Sequence, residues 1–250
     1  YKVTGVQTCA LPISTAIDWS PEMELLLLGG YTDTNTVSTN DMWFLLMNEL
    51  GDVVEKRKLT TDTDEEKLTS AIFYNEKIYF TSIVGGEDLV YGMLEYDNVD
   101  INFKWGRKIP NPLNYKFVDA ELKIDDYESI YIYATENNVS TSNNEKVTLI
   151  RVDLSNYADI VWAKRLSPAS TTFTTLTGIG LSIDVFNNIN IAASVTTSSN
   201  SFVDVVKFKH DGTILQDSRV LVNQTFIGKT TAVDSSRSEE HTSELQSPCN

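Results

Sequence analysis

Cysteines and long apolar runs are scarce in this sequence, and each scarcity excludes a class of site. The two cysteines, Cys9 and Cys249, lie near the two chain ends. The rest of the chain therefore has no disulfide, no thiolate nucleophile and no zinc site of the cysteine type. The longest strongly apolar run, Leu25–Leu28, is far shorter than the roughly 20 residues of a membrane-spanning helix, so no membrane span is predicted.

Basic residues are also few, with 20 Lys and Arg against 35 Asp and Glu and a formal net charge of −15. An acidic chain repels phosphate backbones, so we do not expect nucleic-acid binding. The hydrophobic content of 41% is enough for a buried core. No residue pattern indicates a cofactor, and none is predicted.

The two ends of the chain are related through their coding. One permissible coding of residues 237–250, when reverse-complemented and read from its third base, encodes residues 1–13. The shared DNA segment resembles a widely used short-read sequencing adapter. We therefore expect residues 1–14 and 237–250 to be adapter-derived and not native, and residues 15–236 to be cut from a longer chain.

A repeat of about 50 residues runs through residues 15–236, close to the length of a kelch blade. Each repeat opens with an apolar residue, a polar turn and an apolar strand, starting at Ile17, Ile72, Ile124, Ile183 and Val233. A further apolar strand and a tight turn follow. The last strand then ends in a basic–apolar pair, which is Lys58-Leu59, Lys108-Ile109, Arg165-Leu166 or Arg219-Val220.

These segments are short, β-branched and aromatic-rich, and they have no helical period. Four antiparallel strands in about 50 residues form one propeller blade. The sequence therefore predicts an all-β fold: a β-propeller fragment of about four four-stranded antiparallel blades, as part of an incomplete ring. The approximate blades are residues 15–69, 70–119, 120–176 and 177–230, with a fifth beginning at 231–236.

Several stretches resemble the repeats of seven-bladed β-propeller proteins of the SBBP type. They are SIDVFNNINIAASVT, DVVKFKHDGTILQDSRVL and VTLIRVDLSNYADIVWAKRL. The sequence departs from the family pattern at Phe73, which replaces an Asp, and at Glu55 and Gln216, which replace the Trp present as Trp105 and Trp162. The resemblance implies a repeat scaffold, often extracellular, with no common set of catalytic residues.

The strongest candidate ligand-binding residues are acids at equivalent repeat positions: Asp18, Asp125 and Asp184, followed by Asp234. Acids in such positions usually cap turns through bonds to the backbone. If they instead surround a central channel, they would bind a cation or a polar ligand. The sequence leaves both interpretations open.

Two other sites are weaker candidates. Asp62, Asp64 and Glu66 offer oxygen ligands for a metal, but Lys67 takes the place of the Gly that an EF-hand loop needs, so a solvated connection is favoured. His210 is the one histidine in residues 15–236, and a Ser–His–Asp triad would have to use it. Because it precedes Asp211-Gly212, we predict a solvated residue in a hairpin turn.

The function that we expect is a non-catalytic scaffold whose loops bind an unknown protein or carbohydrate ligand. It would belong to a larger secreted or cell-surface protein and would pack against the remaining propeller blades of the parent chain. The alternative is a fragment of a propeller-fold lyase or glycosidase whose catalytic acids lie partly in missing blades. Convergence of Asp18, Asp125 and Asp184 would favour the enzyme, and loop-borne aromatic residues would favour the binding scaffold.

Overall fold

The structure is a computed structural model, and it describes residues 11–33, 40–60, 65–111, 114–140, 146–155, 158–166, 173–197 and 200–222. These residues form sixteen β-strands and no helix. The strands make four four-stranded sheets, each an antiparallel meander in sequence order. The predicted all-β fold and four-stranded units are confirmed. No helix in the described ranges could span a membrane.

The four sheets follow one another along the chain. The first contains β1 (Leu11–Ser20), β2 (Leu25–Asp33), β3 (Met42–Asn48) and β4 (Val53–Leu59). The second contains β5 (Glu66–Tyr74), β6 (Lys77–Val84), β7 (Asp88–Tyr96) and β8 (Ile101–Ile109). The third contains β9 (Tyr115–Ile124), β10 (Ser129–Asn138), β11 (Lys146–Asp153) and β12 (Asp159–Leu166). The fourth contains β13 (Phe173–Ile183), β14 (Ile189–Thr197), β15 (Ser201–Phe208) and β16 (Ile214–Val222).

The sheets begin four or five residues before the blade boundaries drawn from the repeat. The cause is the position of the repeat's opening apolar residue, which lies at or near the end of a first strand. Ile124 and Ile183, for example, are the last residues of β9 and β13. The most regular sequence feature thus marks the first hairpin turn and not the start of the blade.

β1 begins at Leu11, inside the segment 1–14. Ile13 pairs with Tyr31 and Ser14 pairs with Gly30 across the first hairpin. A Cβ atom on Gly30 would lie 1.9 Å from the carbonyl oxygen of Ile13. The close approach of these two strands therefore requires glycine at this position.

Burial follows the position of each strand in its sheet. β6 and β10 are second strands, and most of their residues are buried on both faces. The last strands β4, β8 and β12 are largely exposed and carry several charged residues. Charged outer strands discourage edge-to-edge pairing with other chains.

The chain divides into two compact units, Tyr1–Pro110 and Asn111–Asn250. In the first unit, Leu27 and Phe44 of the first sheet share a buried apolar cluster with Phe80 of the second, and the Phe44 and Phe80 ring centroids are 5.7 Å apart. In the second unit, Leu149 and Ile191 belong to the corresponding cluster of the third and fourth sheets. A four-stranded sheet completes its core against its neighbour, as repeat architectures require.

The basic residue of each repeated basic–apolar pair has a structural role. Each binds an acidic residue in a strand of its own sheet or directly before one, and the pairs are Lys58–Asp41, Lys108–Asp88, Arg165–Glu136 and Arg219–Asp204. These ion pairs brace the exposed last strand of each sheet. Glu136 is the most deeply buried of the four acids, with 1% of its side chain exposed.

Candidate functional site

The turn between β9 and β10 is held by one buried carboxylate. Asp125 follows the last residue of β9, and its Oδ1 atom accepts the backbone N–H groups of Tyr127 at 3.0 Å and Ser129 at 2.9 Å. Between them, Glu128 adopts a φ of 59°. Tyr127, the third residue of this turn, is 65% exposed.

The same turn recurs between β13 and β14. Asp184 Oδ1 accepts the backbone N–H groups of Phe186 and Asn188, both at 2.9 Å, and Asn187 adopts a φ of 57°. Phe186, again the third residue, is 71% exposed. Each turn therefore combines a capping Asp, an outward aromatic residue and a left-handed fourth residue. We call Asp125–Ser129 and Asp184–Asn188 the two aromatic turns.

Asp18 occupies a different place, although the sequence pattern aligned it with these acids. It lies within β1 and pairs with Leu27, and its Oδ2 atom accepts the backbone N–H of Phe73 in β5 at 2.7 Å. The second sheet uses the two-residue turn Asn75-Glu76, with φ values of 47° and 61°. Such a type I′ geometry needs no capping Asp, which explains the departure at Phe73. Asp234 lies outside the described residues.

His210 joins the fourth sheet to the first aromatic turn. Its Nδ1 atom lies 3.2 Å from Asp125 Oδ2 and 2.8 Å from the Tyr131 hydroxyl, and that hydroxyl donates to Asp125 Oδ2 at 3.1 Å. The Asp125 side chain is fully buried, and that of His210 is 35% exposed. The prediction of a turn at His210 is confirmed, but the side chain is solvated only in part, because its Nδ1 atom contacts Asp125 and Tyr131. Sequence reasoning missed this contact because it joins residues 85 positions apart.

Trp162 fixes the backbone of the same His-containing turn. Its indole Nε1 donates to the His210 carbonyl oxygen at 3.3 Å. Gly212, with a φ of 83°, lies over the indole so closely that a Cβ atom would be 3.1 Å from it. Trp162, on the last strand of the third sheet, therefore packs against a turn of the fourth sheet. Trp105 instead contacts Tyr79 and Tyr91 within its own sheet.

Comparison with known proteins identifies the fold. The sequence matches no protein-family model and no curated protein. Among solved structures, the chain is similar to the α-L-arabinofuranosidase CtGH43 of Clostridium thermocellum, with 13% identity over 87% of this chain and 74% of that one and a TM-score of 0.50. The fold is that of a β-propeller. Identity this low shows the fold alone.

Two further solved structures have smaller TM-scores. The exo-β-1,3-galactanase of Phanerochaete chrysosporium is 12% identical over 78% of this chain and 47% of that one, with a TM-score of 0.47. The periplasmic gluconolactonase PpgL of Pseudomonas aeruginosa is 9% identical over 84% of this chain and 73% of that one, with a TM-score of 0.46.

In a propeller blade built as a meander, the first and third connections lie at the same edge of the sheet. The aromatic turns are first connections, and the turn at His210 is the third connection of the fourth blade. All three therefore lie at one edge of the second unit. The Tyr127 and His210 ring centroids are 5.4 Å apart in an edge-to-face arrangement, which places an aromatic residue beside an imidazole. We call the two aromatic turns and the turn at His210, together with the side chains that contact them, the turn edge.

The ionisable groups of the turn edge serve first as structural partners. Burial raises the pKa of the Tyr131 phenol, and the adjacent Asp125 carboxylate raises it further, so this hydroxyl stays a neutral hydrogen-bond donor. Burial opposes ionisation of Asp184, but its bonds to Lys207, Asn188 and Phe186 outweigh that effect and lower its pKa below the ordinary 3.8.

We expect Asp184 to make stability depend on acidity. A carboxyl group whose pKa is lowered by folding stabilises the native state above its unfolded pKa, and this contribution is lost as the pH falls through the folded value. Urea unfolding between about pH 6 and about pH 3 is expected to show a smaller loss of stability in Asp184→Asn than in the wild type. Parallel pH curves for the two proteins would contradict this prediction.

The acidic metal candidates are only partly within the described residues. Asp62 and Asp64 lie outside them. Glu66 is buried at the start of β5, with 2% of the residue exposed. In the part of the chain that the structure describes, no group of three or more His, Cys, Asp or Glu residues is placed to hold a metal ion.

Proposed function

We propose that the chain is a non-catalytic β-propeller repeat scaffold that binds a protein or a carbohydrate through its turn edge. The observation that carries this proposal is the repeated aromatic turn. Two neighbouring blades use the same Asp-centred bonds to present an exposed ring, Tyr127 in one and Phe186 in the other.

The exposure of these two rings has no explanation in the packing of the fold. Tyr131, Tyr133 and Phe208 of the same unit are almost fully buried, as large apolar side chains normally are. Exposed Tyr and Phe rings provide a large contact area, and aromatic residues are enriched at binding interfaces. Because the turns are fixed by backbone bonds, little conformational entropy remains to be lost on binding.

The arrangement of acids supports binding more than catalysis. Cleavage of a glycosidic bond uses two carboxylates that flank the bond at a set separation. Asp125 and Asp184 are instead largely buried, and each accepts bonds from its own turn. His210 contributes its Nδ1 atom to Asp125 and Tyr131. The similarity to an arabinofuranosidase is one of fold, so it does not favour the lyase or glycosidase alternative.

The wider context is also a proposal. The resemblance of the repeats to the SBBP type supports a longer parent protein in which further blades adjoin these four. Such a parent is proposed to be secreted or displayed at the cell surface, where a scaffold without a catalytic centre meets extracellular ligands.

The test compares the wild-type chain with a Tyr127→Ala/Phe186→Ala double variant on a glycan array and a protein array. We expect at least one array signal that the double variant loses. Leu50→Ala/Val99→Ala is a matched control, because Leu50 and Val99 are exposed turn residues of the first unit, at 86% and 69%. The control is expected to keep the signal.

Two results would contradict the proposal. One is an array signal that the double variant retains in full, or no array signal at all. The other is a steady release of reducing sugar from arabinan or galactan by the wild-type chain, which would favour the enzyme alternative.

A further inference from the structure

We propose that the ligand of the turn edge is a neutral carbohydrate chain that stacks on Tyr127 and Phe186 and hydrogen-bonds to His210 Nε2. This inference rests on the proposed function and specifies the ligand class.

Polar groups lie next to both rings. Tyr127 stands between the exposed carboxylates Asp126 and Glu128. Phe186 is followed by Asn187, which is half-exposed. A sugar ring has an apolar C–H face and a rim of hydroxyl groups, so it needs an aromatic face with carboxylate or amide groups at its margin. Carboxylates accept hydrogen bonds from hydroxyls, and amides both donate and accept.

His210 is held in one orientation and presents one free edge. Its Nδ1 atom contacts Asp125 and Tyr131, so Nε2 lies at the opposite edge of the imidazole. Among the described residues, Nε2 has no hydrogen-bond partner. The ring lies edge-to-face with Tyr127, with the centroids 5.4 Å apart. A sugar stacked on Tyr127 therefore has an imidazole nitrogen beside its hydroxyl rim.

The fixed position of His210 is useful for recognition. The buried Asp125 carboxylate orients the imidazole, and Trp162 holds the backbone of the same residue. Nδ1 faces two acceptors, Asp125 Oδ2 and the oxygen of a Tyr131 hydroxyl that itself donates to Asp125, so Nδ1 carries the hydrogen and Nε2 of the neutral imidazole is an acceptor for a sugar hydroxyl.

Charge and surface character select a neutral polysaccharide over other polymers. The exposed acids Asp126, Glu128 and Asp211 outnumber the exposed lysines of the same region, Lys209 and Lys164, and the whole chain is acidic, so the surface disfavours phosphate and other anionic groups. A protein interface has an apolar centre surrounded by a polar rim. At the first aromatic turn the arrangement is different, because the residues before and after Tyr127 in the sequence, Asp126 and Glu128, are exposed and charged.

The experiment is affinity electrophoresis of the full chain in native gels that contain soluble arabinan, xylan, galactan or laminarin. We expect at least one polysaccharide to retard the wild-type chain. Tyr127→Ala and Phe186→Ala are each expected to weaken binding by about tenfold, as for an interface anchor. Tyr127→Phe, which restores the ring, is expected to rescue most of the loss. Val99→Ala serves as the control for exposed turn residues.

His210→Asn separates recognition from folding. The Asn amide keeps a hydrogen-bonding group on the side of Asp125 and removes the Nε2 edge. Its melting temperature is expected to stay closer to that of the wild type than the melting temperature of His210→Ala, while retardation by the polysaccharide is lost. Retention of wild-type retardation in His210→Asn and in Tyr127→Ala would overturn the inference.

The outcomes distinguish this inference from the proposed function. If no polysaccharide retards the chain but a protein-array signal disappears in Tyr127→Ala/Phe186→Ala, the carbohydrate inference is wrong and the scaffold proposal stands. If neither the gels nor the arrays respond to the wild-type chain, both are wrong.

Discussion

Replacing Asp125 by alanine is expected to lower the free energy of unfolding by about 3 kcal/mol. The substitution removes the acceptor of two backbone N–H groups and of the Tyr131 hydroxyl, and it leaves His210 without its carboxylate partner. Because the Asp125 side chain is fully buried, water does not readily replace the missing bonds. Equilibrium urea unfolding measures the loss.

Asp211→Ala is the matched control. Asp211 also accepts a backbone N–H two residues ahead, that of Thr213 at 2.8 Å, but it lies in an exposed turn. Its replacement is expected to cost much less, since water can take over the bond. Asp125→Asn should fall between the two, because an amide oxygen still accepts hydrogen bonds. Equal losses for Asp125→Ala and Asp211→Ala would show that burial of the carboxylate is not what stabilises the turn.

Phe80→Ala is expected to destabilise the first unit by about 3–5 kcal/mol. Phe80 is 1% exposed and packs its ring against Phe44 of the neighbouring blade. The substitution leaves a cavity between two blades and removes an edge-to-face aromatic contact. Thermal or urea unfolding, followed by near-ultraviolet circular dichroism, measures the effect.

Phe103→Ala tests whether the position of the ring decides this cost. Phe103 belongs to the same blade, but it lies on the last strand and is 50% exposed. Its loss is expected to be well under half that of Phe80, since little area returns to water. Comparable losses at the two positions would contradict the assignment of the core to the space between the blades.

The sequence predicts the strands and turns that depend on a single short segment. Runs of apolar residues after each repeat opening marked the third strands, among them Met42–Asn48 and Lys146–Asp153. Turn composition located His210-Asp-Gly-Thr213 as a connection. These features depend only on neighbouring residues, and a single sequence contains them.

The placement of Asp18 could not be predicted, because it depends on the lengths of turns. β1 contains a register shift between Ser14 and Ala16, and the chain beyond Asp18 continues as strand to Ser20. Asp18 therefore lies within a strand, whereas Asp125 lies at the start of a turn. When the strand extends one or two residues past the Asp, the same local motif places that Asp against the next sheet and no longer at the cap of the turn.

The aromatic turns were present in the sequence but were not recognised. The repeats beginning at Ile124 and Ile183 place Tyr127 and Phe186 at the same repeat position. The sequence predicts a polar turn at both positions and indicates no separate role for the two rings. The exposure follows from the Asp-centred bonds and the left-handed residue after the ring, which together turn the side chain outward.

The aromatic turns have a consequence for protein engineering. In each turn, the Asp oxygen accepts backbone N–H groups, so these capping bonds do not depend on which side chain stands at position 127 or 186. The exposed residues of the two turns can therefore be substituted while the capping bonds are kept. A library that randomises residues 126–127 and 185–186 and retains Asp125 and Asp184 would sample two adjacent recognition loops without disturbing the blades.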